Sequence, residues 1–291
     1  MNSEISQKSS KTTVYCWSFK YTQTTPTPHT VPGIFSREEH VAKNSTTAAS
    51  TYLSKQLQIV MELLQEKDQK LFQREGYRRC WFIRSAEEVY LEIKAKQNFF
   101  NHKRPRTSDF NTMYTNLEHE RIIHNVRETI REAKKYIREE LSINEQIKYK
   151  QQLADKETLV DHVKFIVENT FLCTKGGVLR HQKIGLPMGT NSAPEIANLT
   201  LHHDESKFID SFVKQKQIEI AKDHCFNFRL IDDVLTWDVE PPSSQIYGLE
   251  WTETTGKDGS VNFLGGKMKN VNGRIHIEIY DKAAEWQFPF I

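Results

Sequence analysis

Apolar positions recur at helical spacing over residues 54–72, where Leu57, Val60, Met61, Leu64 and Leu71 mark one face and predict a helix. Ser85-Ala86-Glu87-Glu88 reads as a capping box, with the hydroxyl and the Glu88 carboxylate meeting free N–H groups, so a second helix is expected from Ser85. Residues 110–117 alternate aromatic and polar and suit a strand that ends in a turn. A charged helix over 118–141 follows, with Ile122, Ile123, Val126, Ile130 and Ile137 on one face, and another helix is predicted over 156–172. Pro194 stands just after Ser192 and Ala193, where a first helical turn accepts proline, so a helix should run from there to about Phe212. Beyond it the pattern changes. Segments 226–237, 246–252, 261–268 and 274–280 read as strands joined by Gly, Asn, Asp or Pro turns, and Asn272-Gly273 is a hairpin signal. The first 50 or so residues are rich in Thr, Ser and Pro and read as extended, with a short strand over 13–19. Mixed helices and strands followed by a run of strands give an α+β fold with an antiparallel sheet.

Composition narrows the class. A chain of 291 residues fits one large domain or two subdomains and can bury a sizeable core. Its charged residues reach 27% and no apolar run is long enough to span a membrane, so no membrane partner is expected. Residues 1–11 are polar and do not read as a secretory signal. Cys16, Cys80, Cys173 and Cys225 are scattered without a CxxC pair, which predicts free thiols in an intracellular, reducing compartment. The net charge of +2 is small for a nucleic-acid binder, so local clusters such as Arg78-Arg79 and His102-Lys103-Arg104-Pro105-Arg106 carry more weight, although each also reads as a solvated face. His202-His203-Asp204 are adjacent on a predicted helix and point in different directions, which argues against a shared zinc site.

The chemistry is concentrated in Arg229-Leu230-Ile231-Asp232-Asp233-Val234-Leu235. Two neighbouring carboxylates inside an apolar β segment repel one another, and a cation is needed to neutralise them. A further acid, Asp109, ends the segment Thr107-Ser108-Asp109-Phe110, and a glycine-bracketed loop, Gly185-Leu186-Pro187-Met188-Gly189-Thr190, leads into the Pro194 helix.

An acid at a strand end, a glycine-flanked loop entering a helix and a double-acid hairpin, in that order, resemble the A, B and C motifs of reverse transcriptases. Asp109-Phe110 with Tyr114-Thr115-Asn116-Leu117, then Gly-Leu-Pro-Met-Gly-Thr, then Arg229-Leu230-Ile231-Asp232-Asp233, are most similar to the Penelope-like element enzymes. Asn262-Phe263-Leu264 and Ile279-Tyr280-Asp281-Lys282 look like two further blocks of that family. The resemblance implies a right-hand polymerase. Residues 1–100 would form a fingers-like region, and 101–291 a palm with an antiparallel sheet and a helical finger insert at about 118–175. The thumb is expected to be absent or truncated, or supplied by a partner chain, with poor unaided processivity.

The implied activity is RNA-directed DNA polymerisation, adding dNTPs to a primer 3′ end on an RNA or DNA template. Two Mg2+ ions about 4 Å apart, with Mn2+ as a substitute, would clamp the attacking and leaving oxygens. Mg2+ favours carboxylates and substrate phosphates over an all-protein cage. Asp109 and Asp232 would hold both ions, with the Phe110 carbonyl as a backbone ligand and Asp233 as an occasional ligand or tuning charge. Tyr114, five residues after Asp109, would pack under the sugar and exclude a 2′-hydroxyl. Gly185 and Gly189 would let backbone approach the nascent pair closely, with Gln182, Pro187 and Met188 in the same nucleotide-binding block. Lys257 would protonate the leaving pyrophosphate, and Lys20 would serve in place of the family's basic finger block.

Departures from the family include Phe263-Leu264-Gly265 where Phe-Leu-Asp is usual, Leu230 where a tyrosine often stands, and Pro32-Gly33 near the expected finger arginine. They motivate a rival reading, a domesticated or degenerate fold that binds nucleic acid or protein without catalysis. A telomerase-like, end-extending polymerase is the third reading. If the host is eukaryotic, the nucleus is preferred over the cytoplasm.

Overall fold

A computed structural model describes residues 46–173 and 179–280. The expected strand over 13–19, Lys20, the Pro32-Gly33 segment and Asp281-Lys282 lie outside the described residues. In chain order the elements are α1 (Thr47–Glu75), α2 (Ala86–Ala95), α3 (Gln97–Phe100), β1 (Pro105–Phe110), α4 (Met113–Asn116), α5 (His119–Glu140), α6 (Ile143–Gln152) and α7 (Lys156–Glu168). There follow β2 (Phe171–Cys173), β3 (Leu179–His181), α8 (Ala193–Lys214), α9 (Ile218–Asp223), β4 (Phe228–Leu230) and β5 (Asp233–Trp237). The last are α10 (Ser244–Tyr247), β6 (Trp251–Glu253), β7 (Val261–Phe263), β8 (Gly266–Val271) and β9 (Arg274–Ile279).

The expected mixture of helices with antiparallel sheet is present. Four strands run in the order β4-β5-β1-β6, every neighbour antiparallel. Period-two alternation on β5 divides the molecule. Val234 enters a core built by α1, α5, α7 and α8, around Leu57, Val126, Val163 and Leu199. Leu235 and Trp237 enter a second core with Val89, Phe100, Phe226 and Met268, from α2, α3 and the β7-β8-β9 sheet. Helices thus cover one face of the sheet, and a smaller helix-and-hairpin layer covers the other.

Several local expectations are corrected. The segment expected as a strand over 110–117 is the end of β1 followed by one helical turn, because Thr112 turns left-handed (φ 59°) and breaks the extended chain. The capping box at Ser85 does not form: Ser85 caps nothing, and Glu88 accepts from the Arg84 amide and pairs with the Arg84 guanidinium. A capping box does form at Ser142 and Glu145, opening α6. Segment 246–252 is split by Gly248 (φ 63°) into the end of α10 and β6. Segment 261–268 is a hairpin rather than one strand, turned by Leu264 (φ 48°) and Gly265 (φ 82°). Asn272-Gly273 makes the predicted turn between β8 and β9, both residues having positive φ. Cys80 and Cys225 are free thiols.

Candidate active site

Backbone register assembles the acids. On β1 and β5, Ser108 opposes Val234 and Asp109 opposes Asp233. Opposed residues of an antiparallel pair point to the same face, so Asp109 and Asp233 share the face of Leu235 and Trp237, past the margin of the second core. Asp232 lies in the turn between β4 and β5, and its carbonyl accepts from the Phe110 amide at 3.2 Å. The turn is tight because Ile231 adopts φ 59°. A β-branched residue in the left-handed region costs about 1–3 kcal/mol and is retained only where its surroundings over-determine it.

Asp109 and Asp232 are half-buried, Asp233 is exposed, and among the described residues no lysine or arginine forms an ion pair with Asp109 or Asp232. Burial, with the Asp232 charge beside it, holds the Asp109 carboxyl above the usual carboxylate range. Among the described residues no group of three or more His, Cys, Asp or Glu converges closely enough to cage a metal. Carboxylate oxygens such as those of Asp109 and Asp232 are the donor type that Mg2+ takes together with water and phosphate.

The glycine loop is bonded to the segment after Asp109. The Gly185 amide donates to the Leu117 carbonyl and the Leu186 amide to the Tyr114 carbonyl, both at 2.7 Å. His119 Nε2 lies 3.0 Å from the Gly185 oxygen. Tyr114 is half-buried against the first core. Burial, with Asp232 and Glu195 nearby, pushes its hydroxyl up to about 12, so it is a neutral phenol at working pH.

Solved structures share this architecture. Apo telomerase from Candida tropicalis truncated from its C-terminal domain superposes with a TM-score of 0.52 at 16% identity, covering 78% of this chain and 46% of that one. Apo telomerase from the same organism gives 0.51 at 15%, over 79% and 42%. Its complex with a TWJ fragment of telomeric RNA gives 0.50 at 15%, over 88% and 41%. The fold is reverse-transcriptase-like. This chain spans less than half the length of those telomerases. No family model and no curated protein matches the sequence. No helix among the described residues is long and apolar enough to cross a membrane.

Within this reverse-transcriptase-like fold the other expected residues divide. Met188 and Gly189 are exposed at the tip of the loop, and Pro187 is buried, its carbonyl accepting from the Thr190 amide and hydroxyl. Gln182 turns inward: its Nε2 donates to the Ile184 and Leu186 carbonyls, so its amide braces the loop. Lys257 is exposed in the turn after β6. That turn follows the residues that bond Thr107: the Thr254 amide donates to the Thr107 carbonyl, and the Thr255 hydroxyl accepts from the Thr107 amide. His202 and His203 do not converge with Asp204. His202 is buried edge-on to Phe82, His203 lies edge-on to His124, and Asp204 accepts from Arg121 and Asn125.

The motif reading did not find the support beneath the acids. Arg229, on β4, is fully buried and pairs with Glu205 of α8. The signal was present, since an arginine between Phe228 and Leu230 in an apolar strand requires a buried acid. Nothing in the α8 sequence marks Glu205 as that acid.

Proposed function

We propose that this chain is the core of an RNA-directed DNA polymerase. The observation that supports it best is that Asp109 and the Asp232-Asp233 turn meet at one end of an antiparallel sheet, with the 185–189 loop bonded to Tyr114 and Leu117. In this reading Asp109, Asp232 and the Phe110 carbonyl hold Mg2+, with Asp233 beside them. The ions, when bound, favour the deprotonated 3′-hydroxyl and neutralise the leaving pyrophosphate. Tyr114 offers a flat neutral ring where the sugar would lie, and the exposed Met188-Gly189 backbone offers a surface to the base pair. Template, primer and dNTP are the partners. The Penelope-like assignment rests on the motif strings Gly-Leu-Pro-Met-Gly-Thr and Arg-Leu-Ile-Asp-Asp.

The test is primer extension on RNA and DNA templates with Mg2+ and with Mn2+. Extension that disappears in Asp232→Asn and Asp109→Asn supports the site, and extension that survives both substitutions removes it.

Two other readings have an observation behind them. The telomerase likeness favours extension of a free DNA end, which repeat addition to a single-stranded primer with a bound RNA would reveal. The Pro32-Gly33 segment near the expected finger arginine favours a binding module without catalysis. Mg2+-linked affinity for dNTP separates that module from an enzyme.

A further inference from the structure

A buried polar network lies between the segments that carry the two acids. Arg229 uses all five guanidinium N–H groups. Nε donates to Glu205 Oε1 at 2.5 Å and Nη2 to Glu205 Oε2 at 3.1 Å. Nη1 donates to Asn198 Oδ1 at 2.8 Å and Nη2 to the Asn198 carbonyl at 3.1 Å. The remaining Nη1 hydrogen goes to the carbonyl of Ile231 at 3.2 Å. That carbonyl belongs to the left-handed residue and is joined by a peptide bond to Asp232.

The network continues in the other direction. Tyr247 is fully buried, its hydroxyl donates to Glu205 Oε1 at 3.2 Å, and its ring meets Phe110 edge-on with centroids 4.7 Å apart. Phe110 follows Asp109 directly. A path of contacts, buried from Arg229 to Phe110, therefore runs Asp232, Ile231, Arg229, Glu205, Tyr247, Phe110, Asp109. The main chain of Arg229 is fixed too: its amide donates to the Trp81 carbonyl at 2.7 Å, and its carbonyl accepts from Ile83 at 2.9 Å.

A buried ion pair is a poor source of stability, because desolvation offsets its attraction, and apolar side chains of the same size often serve as well. What the pair supplies here is direction. A guanidinium is a planar fork whose five donors lie at set angles, which neither lysine nor an apolar side chain reproduces. We infer that Arg229, with Glu205 and Tyr247, is a positioning group that holds Ile231 left-handed and fixes Asp232 relative to Asp109. The proposal deepens the polymerase reading and rests on it for its catalytic consequence, while its structural claim stands by itself.

The experiment uses the full chain and three variants. Arg229→Met with Glu205→Leu removes both charges together, Arg229→Lys keeps the charge without the fork, and Tyr247→Phe removes one hydroxyl. Cooperative melting establishes folding. Amide hydrogen exchange is read on peptides covering 228–237 and α8, and primer extension is resolved into kcat and KM for dNTP. In the folded double variant, exchange at 231–233 is expected to rise at least about tenfold while α8 stays protected. Extension is expected to lose at least about tenfold in kcat with KM for dNTP within about twofold. Arg229→Lys should behave likewise. Should the double variant fail to fold, Tyr247→Phe carries the test, with a fall of about threefold or more in kcat alone. A folded variant with unchanged exchange at 231–233 and unchanged kcat overturns the proposal. A wild-type chain that never extends a primer removes the polymerase reading, and the exchange measurement still decides whether Arg229 holds the turn.

Discussion

A Cβ atom on Gly185 would stand 2.3 Å from the carbonyl oxygen of Tyr114 and 2.9 Å from the Cα of Thr115. Both obstacles are backbone, and Gly185 sits at φ 90°, where a side chain is strained in any surroundings. Gly185→Ala should therefore separate the loop from the Tyr114 turn and destabilise the chain by about 1–3 kcal/mol, read as a lower denaturation midpoint. Gly189→Ala separates the two causes: at φ 87° with nothing within 4 Å of a Cβ, it carries the backbone strain without the clash and should cost less.

Burial, with the Asp232 charge beside it, opposes the ionisation of Asp109. The folded pKa of Asp109 is raised by burial and by Asp232, so its charge costs stability above that pKa and costs nothing below the unfolded value of 3.8. Without divalent cations, Asp109→Asn should raise Tm at pH 7.5 and change it little below pH 3.8. Mg2+ should raise the wild-type Tm more at pH 7.5 than at pH 5 and leave Asp109→Asn nearly unmoved. Thermal melts with and without Mg2+ check both.

Three histidines set the acid limit. Burial lowers His202 to about 3, and His203 and His224 to about 4, from 6.5. Depressed folded values contribute stability above pH 6.5 that is lost as pH falls through 4. Asp68 and Asp204, raised by burial to about 6, act in the opposite direction with smaller shifts. Tm should fall steadily from pH 6.5 to 4, and His202→Asn should flatten that slope in a melt series.

In the polymerase reading proposed above, Tyr114→Ala opens the space that a sugar would enter. Incorporation of ribonucleotides relative to deoxynucleotides should rise at least about tenfold, which corresponds to about 1.4 kcal/mol of lost discrimination. Single-nucleotide extension with matched rNTP and dNTP measures the ratio.

Legibility followed locality. The helix from Pro194 and the Asn272-Gly273 turn were readable because a fixed φ at Pro and positive φ at Asn-Gly act within two residues. The order of Asp109, the glycine loop and Asp232-Asp233 was readable because carboxylates in apolar strands need an explanation. Ser85 misled because its hydroxyl is only one of several ways to satisfy a helix start, and Arg84 took Glu88 instead. Lys257 and Gln182 show what a motif leaves open. A motif fixes a position in the chain, and the direction of the side chain depends on ladder partners such as Thr107 and on the carbonyls of Ile184 and Leu186. Glu205 was silent because helix α8 buries polar and apolar residues alike.

The frame under the acids is drawn from segments far apart in the chain: Trp81 and Ile83, Phe110, Asn198 and Glu205, Arg229, and Tyr247. It cannot be moved as a cassette. Grafting the β4–β5 hairpin onto another sheet would transplant Asp232 and Asp233 together with an arginine that has lost Glu205 and Asn198, and an uncompensated buried cation is costly enough to unfold its new host. The unit of inheritance for this site is the whole helix-backed sheet, and its two acids are separable from that sheet only on paper.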